Sequence, residues 1–477
     1  MLTPIANEDS RLSFWLRVRE FAVPASMIET ATARRRVGDW AGACAAAGVD
    51  IDLDLRAVAR TYGRAFVSQL RSDLRHLAPD LLRWHLPRVA PDGLLRPGAT
   101  VSLARYDIAG REDTRWPVHL VVRTPPAWAD AGQRISLALW DAAGPMAGDR
   151  RHPHPRPDRR FRLDLHRHLW DARRTGELRV RCGADRPPGD DPPVFDPPVL
   201  DPPARGTELP VLGCAVDRWV DEAGIVLRAE GRTTGSVLVR LGSGRRLVLD
   251  QAEEGELRDA RPVLRGAAGC VSALPVLPDA ATWVLPDLEL IRAGAIEAGR
   301  LHPLVASALV PEHVVPEQLG TEYAAPVPGR LPDRAARARL VECRGATHRI
   351  GLVDGVLAPL DHDPTEIRRE ELLAALTGTP LPCLQAIDRA HRRPDCLVGV
   401  RERLVHGDVA GALAVVEGLL GPEAVLRDGA LRDELEAAAQ RRITYGLFRA
   451  GLIGPGPGRD RRRPGHMRAH PRHGVPR

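Results

Sequence analysis

The sequence predicts an α+β multidomain protein with a helical N-terminal region, an antiparallel β-sandwich-like middle and a helical C-terminal domain. Three observations predict it. Apolar residues recur at three- and four-residue spacing up to about residue 92, alternate with polar residues from about 98, and return to helical spacing after 363. Proline-rich stretches separate these regions. The layout read from them is a helical region 1–92, a β-rich unit 98–184, a Pro/Asp-rich linker 185–206, and a second β-rich unit 207–292. A Pro-rich connection 311–332, a β-hairpin plus helical domain 334–453 and a basic tail 454–477 complete it.

From Leu55, the positions Val58, Tyr62, Phe66, Leu70, Leu74 and Leu77 advance by three or four, and Pro79 follows as a stop signal, which predicts a long amphipathic helix. Gly63 falls inside it and costs about 1 kcal/mol against alanine, so continuity is weakest there. Alternation then predicts strands at 100–108, 118–123, 135–140, 161–168 and 177–182. Asp191-Pro-Pro, Asp196-Pro-Pro and Asp201-Pro-Pro repeat with period five, a semi-rigid spacer held near polyproline II. Residues 236–241 and 245–250 read as a hairpin around Gly242-Ser243-Gly244, and Asp354-Gly355 as the turn of another. Asp363-Pro364-Thr365-Glu366 is a helix start, and further helices are expected at 381–392, 395–405, 408–420 and 430–450. Gly38-Asp39 and Gly407-Asp408 open two matching eight-residue stretches that resemble the turn of a tetratricopeptide-type helical hairpin, in which Gly ends one helix and Asp caps the next.

Composition removes whole classes of chemistry. All 68 basic residues are arginine; with no lysine, P-loop, protein-kinase, pyridoxal and Schiff-base mechanisms lack their amine. Seven arginines beyond residue 458, against Asp460 alone, account for the entire net charge of +6, so the rest of the chain is formally neutral. Seven scattered cysteines without a C-x-x-C, and a start without a leader pattern, predict reduced thiols in the cytoplasm. No apolar run approaches the roughly 18 residues of a membrane span.

Candidate chemistry is sparse. Asp361 and His362, with His348 upstream, are the compact group in which a catalytic site could form, although Asp363 is accounted for as a helix cap. His166 and His168 form an H-x-H pair that alternation would place on the solvent face of a strand, beside a similar His152/His154 pair. Cys343-x4-His348 and Cys383-x7-His391-x4-Cys396 lack the paired short spacings of structural zinc, so no metal site and no cofactor are expected. Arg56, Arg60, Arg64, Arg71 and Arg75 form a basic stripe on the first long helix, either a solvated face or a docking surface for an acidic protein partner. Arg459, Arg461, Arg462 and Arg463 form a basic cluster in a tail too poor in apolar residues to order itself, the one place where nucleic acid could bind.

These observations point to a non-enzymatic protein-interaction or scaffold protein. The alternative is a transferase or hydrolase with its site in the C-terminal half, and the third reading is nucleic-acid binding through the tail.

Overall fold

The structure is a computed structural model, and it describes residues 8–108, 117–142, 152–185, 213–242, 245–252, 257–262, 273–312, 339–378 and 380–453. The tail with its four clustered arginines, residues 186–206 of the linker and residues 313–332 of the Pro-rich connection lie outside them. The protein is mixed helix and strand in several small sheets, with a helical C-terminal region, and among the described residues no sheet closes into a barrel.

The strands are β1 (Val49–Asp52), β2 (Arg88–Val89), β3 (Leu94–Leu95), β4 (Thr100–Tyr106), β5 (Val118–Arg123) and β6 (Ile135–Asp141), then β7 (Gly235–Gly242), β8 (Arg245–Gln251), β9 (Leu257–Pro262), β10 (Arg339–Cys343), β11 (Ala346–Val353) and β12 (Val356–Pro359). The central sheet has the order β1-β6-β5-β4, antiparallel except that β1 pairs parallel to β6. Its buried face carries Val101, Leu103, Leu120, Val122, Leu137 and Leu139, and packs on Phe66, Leu70 and Leu74 of the helix Leu55–His76. The expected periodicity is thus realised, and at Gly63 the helix breaks, with φ 88° and ψ 168°, a conformation open to glycine. The helical N-terminal region and the first β unit share this apolar core, which also takes in Leu285, Leu288 and Val305.

Two expected strands are not strands. Residues 161–168 form turns leading into the short 3-10 helix Arg167–Leu169, and 178–181 form a helical turn. The alternation at 161–168 is real, since Phe161 and Leu163 are buried, but the segment meets β4 only at one bridge, Ser102 to Arg162. Trp170 then donates its indole N–H to the Leu163 carbonyl at 3.0 Å and folds the chain back. Local side-chain-to-backbone bonding of this kind competes with a strand ladder.

The second β unit is the antiparallel sheet β7-β8-β9, whose inner residues Val237, Val239, Leu247 and Leu249 pack on Trp219, Val226 and Leu227 of the helix Trp219–Ala229. In the C-terminal unit, β10-β11-β12 packs Cys343 and Ile350 against Cys383 and Ile387 of the helix Pro382–Arg392. Asp354 (φ 50°) and Gly355 (φ 77°) make the expected tight turn. The helices Pro364–Thr377, Pro382–Arg392, Leu397–His406, Val409–Leu420 and Ala430–Ala450 follow, close to the ranges read from sequence. Asp363 caps the first, accepting from the Thr365 N–H at 2.7 Å.

The Gly-Asp echo is realised twice. Asp39 accepts from Gly42 N–H at 2.8 Å and Asp408 from Gly411 N–H at 2.9 Å, after glycines at φ 79° and 92°. In the second copy the glycine also permits close approach, because a Cβ on Gly407 would sit 1.9 Å from the carbonyl oxygen of Gly132. That contact is part of the joint between the C-terminal unit and the body. Around it, Arg17 holds Glu402 with two bonds, Arg83 donates to the His406 carbonyl, Tyr445 donates to Asp50 at 2.6 Å, and Arg449 pairs with Asp52.

Candidate functional site

Of the three C-terminal residues singled out in the sequence, the structure brings two together and separates the third. His348 lies on β11 opposite Val341, and His362 lies on the link between β12 and the helix Pro364–Thr377. Their rings stack with centroids 4.2 Å apart and planes 13° from parallel. Asp361 turns away. It accepts from the Arg349 backbone N–H and from Arg349 Nη2, both at 2.7 Å. This guanidinium holds the exposed carboxyl down at about 2, so Asp361 is a fixed anion at neutral pH and ill-suited to exchange protons. Glu366 and Glu370 are drawn to Arg344.

Beside the stacked imidazoles lie two thiols that the sequence pattern assigned elsewhere. Cys343 ends β10, next to the tight turn through Arg344 (φ 55°) and Gly345 (φ 79°), and Cys383 opens the helix Pro382–Arg392. Both side chains are fully buried. One ligand atom each from Cys343, His362 and Cys383 falls within 4.8 Å of the others. Burial, and then the neighbouring Cys343 thiol, push the Cys383 thiol up to about 11. His391 and Cys396, grouped with Cys383 by spacing, do not join this cluster. The grouping escaped sequence reading because its members come from a strand end, a loop and a helix start, so no short spacing marks it.

The arginine stripe is where the sequence placed it. Arg56, Arg60, Arg64, Arg71 and Arg75 are all exposed, and none forms an ion pair among the described residues. The break at Gly63 divides the stripe, with Arg56 and Arg60 before it and the others after. Near its start, backbone N–H bonds from Ala57 and Arg56, reinforced by the charges of Arg60 and Arg56, lower the pKa of the capping carboxyl of Asp54.

The expected solvent exposure of His166 and His168 is overturned, because both are buried, at 2% and 4%. His166 Nε2 lies 3.1 Å from Glu222, whose carboxylate also accepts from Arg181 at 2.7 and 2.8 Å. The His168 ring meets His166 edge to face at 5.7 Å, and burial holds its pKa well below the ordinary histidine value. On the polar face of the supposed strand, His166 is closed over by Glu222 of the helix Trp219–Ala229.

Two open clefts lie elsewhere on the surface of the described residues. One, of about 390 Å³, is floored by the central sheet and bordered by Arg105, Arg156, Arg159 and Arg162. Ser102 Oγ sits 2.8 Å from His119 Nδ1 at its base, and burial pushes His119 down to about 4, leaving it neutral at physiological pH. Among the described residues no carboxylate hydrogen-bonds the other side of this imidazole. The other cleft, of about 330 Å³, lies at the joint between the body and the C-terminal unit and includes Arg134, Arg441 and Arg442. Arg134 is committed to Asp50. No helix among the described residues is long and apolar enough to cross a membrane. Comparison with protein-family models, with curated proteins and with solved structures found no match for this chain.

Proposed function

We propose that this chain is a non-enzymatic, multidomain scaffold protein of the cytoplasm that docks an amphipathic helix of another protein on its C-terminal unit. One observation carries the reading. Apart from Val37, Trp128 and Val180, every strongly exposed large apolar side chain among the described residues belongs to the C-terminal unit. The helix Pro364–Thr377 is the extreme case: it buries none of its residues, and Leu372, Leu373 and Leu376 are 64%, 49% and 85% exposed. Spacings of three and four place these leucines on one face, which is what a second amphipathic helix packs against. Contiguous apolar exposure of this kind marks an interaction site more often than a solvated surface. The exposed stripe Arg56, Arg60, Arg64, Arg71 and Arg75 offers a second, electrostatic contact to an acidic segment of the same partner. The free cysteines fit a reducing compartment.

The test is affinity purification of the intact protein with mass spectrometry, followed by binary binding of the recovered partner. Leu372→Glu combined with Leu376→Glu should leave helical circular dichroism intact. It should weaken partner binding about tenfold or more, because a buried leucine contributes roughly 1.5 to 3 kcal/mol. Reversing the charges of Arg56, Arg60 and Arg64 should reduce the association rate and its salt dependence. Recovery of the same partner at the same affinity by the leucine variant overturns the reading. So does light scattering that shows this face occupied only by a second copy of the chain.

A further inference from the structure

The cluster at Cys343 has a use that does not depend on the partner proposal. We propose that Cys343, His362 and Cys383 bind one structural zinc ion and that His348 closes its fourth position.

The donor set comes first. Two thiols and two imidazoles are the ligands zinc prefers in closed tetrahedral sites, and soft sulfur ligands select against magnesium and calcium. The donors of Cys343, His362 and Cys383 already fall within 4.8 Å of one another, and the His348 ring stacks on that of His362. Four ligands at zinc's usual bond lengths of about 2.0 to 2.3 Å lie roughly 3.3 to 3.8 Å apart, so drawing these three together needs shifts of about an ångström.

The unpaired atoms come second. His362 is 5% exposed and its Nε2 is buried without a hydrogen-bond partner, as is Nδ1 of His348. A buried polar atom left without a partner costs free energy, and native structures rarely retain one. Here two of them stand on adjacent stacked rings beside two buried thiols. The opposite nitrogen of His362, Nδ1, faces a Glu366 carboxylate oxygen at 3.7 Å. A carboxylate drawn to hydrogen-bond distance behind a ligating imidazole fixes the ring and strengthens its outward nitrogen as a donor, and Glu366 stands about half an ångström short of that.

The topology comes third. Cys343 ends β10, His348 is on β11, His362 follows β12 and Cys383 starts the helix Pro382–Arg392. One ion would join all three strands of this small sheet to the helix beneath it. The apolar cluster at this junction is small, five buried residues including the two cysteines, and such a core is where a metal cross-link adds most. Binding releases the two thiol protons, and with four protein ligands the ion keeps no open position for substrate.

The test uses the full chain, purified under reducing conditions without chelator. Elemental analysis should find one zinc per chain. Cys343→Ser, Cys383→Ser and His362→Asn should each be substoichiometric, whereas Cys396→Ser should retain the ion. Cobalt(II) added to the metal-free protein should give the intense visible bands and sulfur charge transfer of a tetrahedral thiolate site. His348→Asn should alter that spectrum and weaken zinc retention against a chelator. Because a cysteine variant could fail to fold, the cobalt spectrum of the wild-type chain stands as an independent readout. Wild-type protein that takes up neither zinc nor cobalt overturns the proposal, as does a Cys343–Cys383 disulfide in protein kept reduced. An unchanged cobalt spectrum in His348→Asn overturns the four-ligand assignment.

Discussion

Replacing Arg83 with alanine should destabilise the protein by about 3 to 5 kcal/mol, because it strips several buried carbonyls of their donor at once. The side chain is 2% exposed. It donates to the carbonyls of Ala22 at 3.0 Å, Gln133 at 2.6 Å and His406 at 3.0 Å, with a longer bond to Ala47. Burial lowers its pKa to about 10, so it remains a cation at neutral pH, held by carbonyl dipoles with no ion-pair partner among the described residues. Arg88, also fully buried, donates to the Arg83 carbonyl at 2.8 Å and extends the ladder. The acceptors belong to the N-terminal helices, the loop before β6 and the end of the helix Leu397–His406. The loss should therefore include release of the C-terminal unit. Urea denaturation gives the magnitude, and amide hydrogen exchange across residues 397–450 reports the release. Arg83→Lys should recover little, since an ammonium cannot span acceptors arranged for a planar fork. A loss below about 1 kcal/mol for Arg83→Ala would show that water satisfies these carbonyls just as well.

Glu222→Ala should cost a similar amount, about 3 to 5 kcal/mol at neutral pH, by leaving Arg181 without its counter-charge and His166 without its hydrogen-bond partner in the interior. The Glu222 and His166 side chains are each 3% exposed and Arg181 is 16% exposed, so solvent screening is slight. Burial opposes ionisation of Glu222, but the bonds and charges of His166 and Arg181 outweigh it and hold the carboxyl well below the usual carboxylate range. A carboxyl depressed in the folded state contributes stability above its unfolded pKa of about 4.3 and loses it as pH falls further. The stability gap between wild type and Glu222→Gln should therefore be full at pH 7 and shrink from about pH 5 downward. A gap that stays constant between pH 7 and pH 3 would mean the charge of Glu222 contributes nothing.

Much of the local structure was legible. The helix Leu55–His76 follows from Val58, Phe66, Leu70 and Leu74, its break from Gly63, and the start at Pro364 from Asp363. These features are written within a few residues, where periodicity and capping chemistry act. What escaped depends on partners far along the chain. β1 is four residues long and pairs with β6 across more than eighty residues of sequence. His166 reads as a solvent-facing histidine until Glu222 and Arg181 close over it. The same limit hid the Cys343, His362 and Cys383 cluster, because spacing rules find ligands that share a loop and these three do not. The arginine stripe and the exposed leucines were accessible to sequence reading in different degrees. Charge on one helix face shows directly, whereas the exposure of Leu372 and Leu376 depends on what the helix Pro364–Thr377 fails to pack against.

Docking on that helix is tested most directly by amide hydrogen exchange of the intact chain, alone and saturated with its recovered partner. A helix that buries none of its residues should exchange quickly when free. The account predicts marked slowing across residues 364–377 in the complex and little change in the central sheet. Protection confined to the body, with 364–377 exchanging as fast as in the free chain, would contradict it.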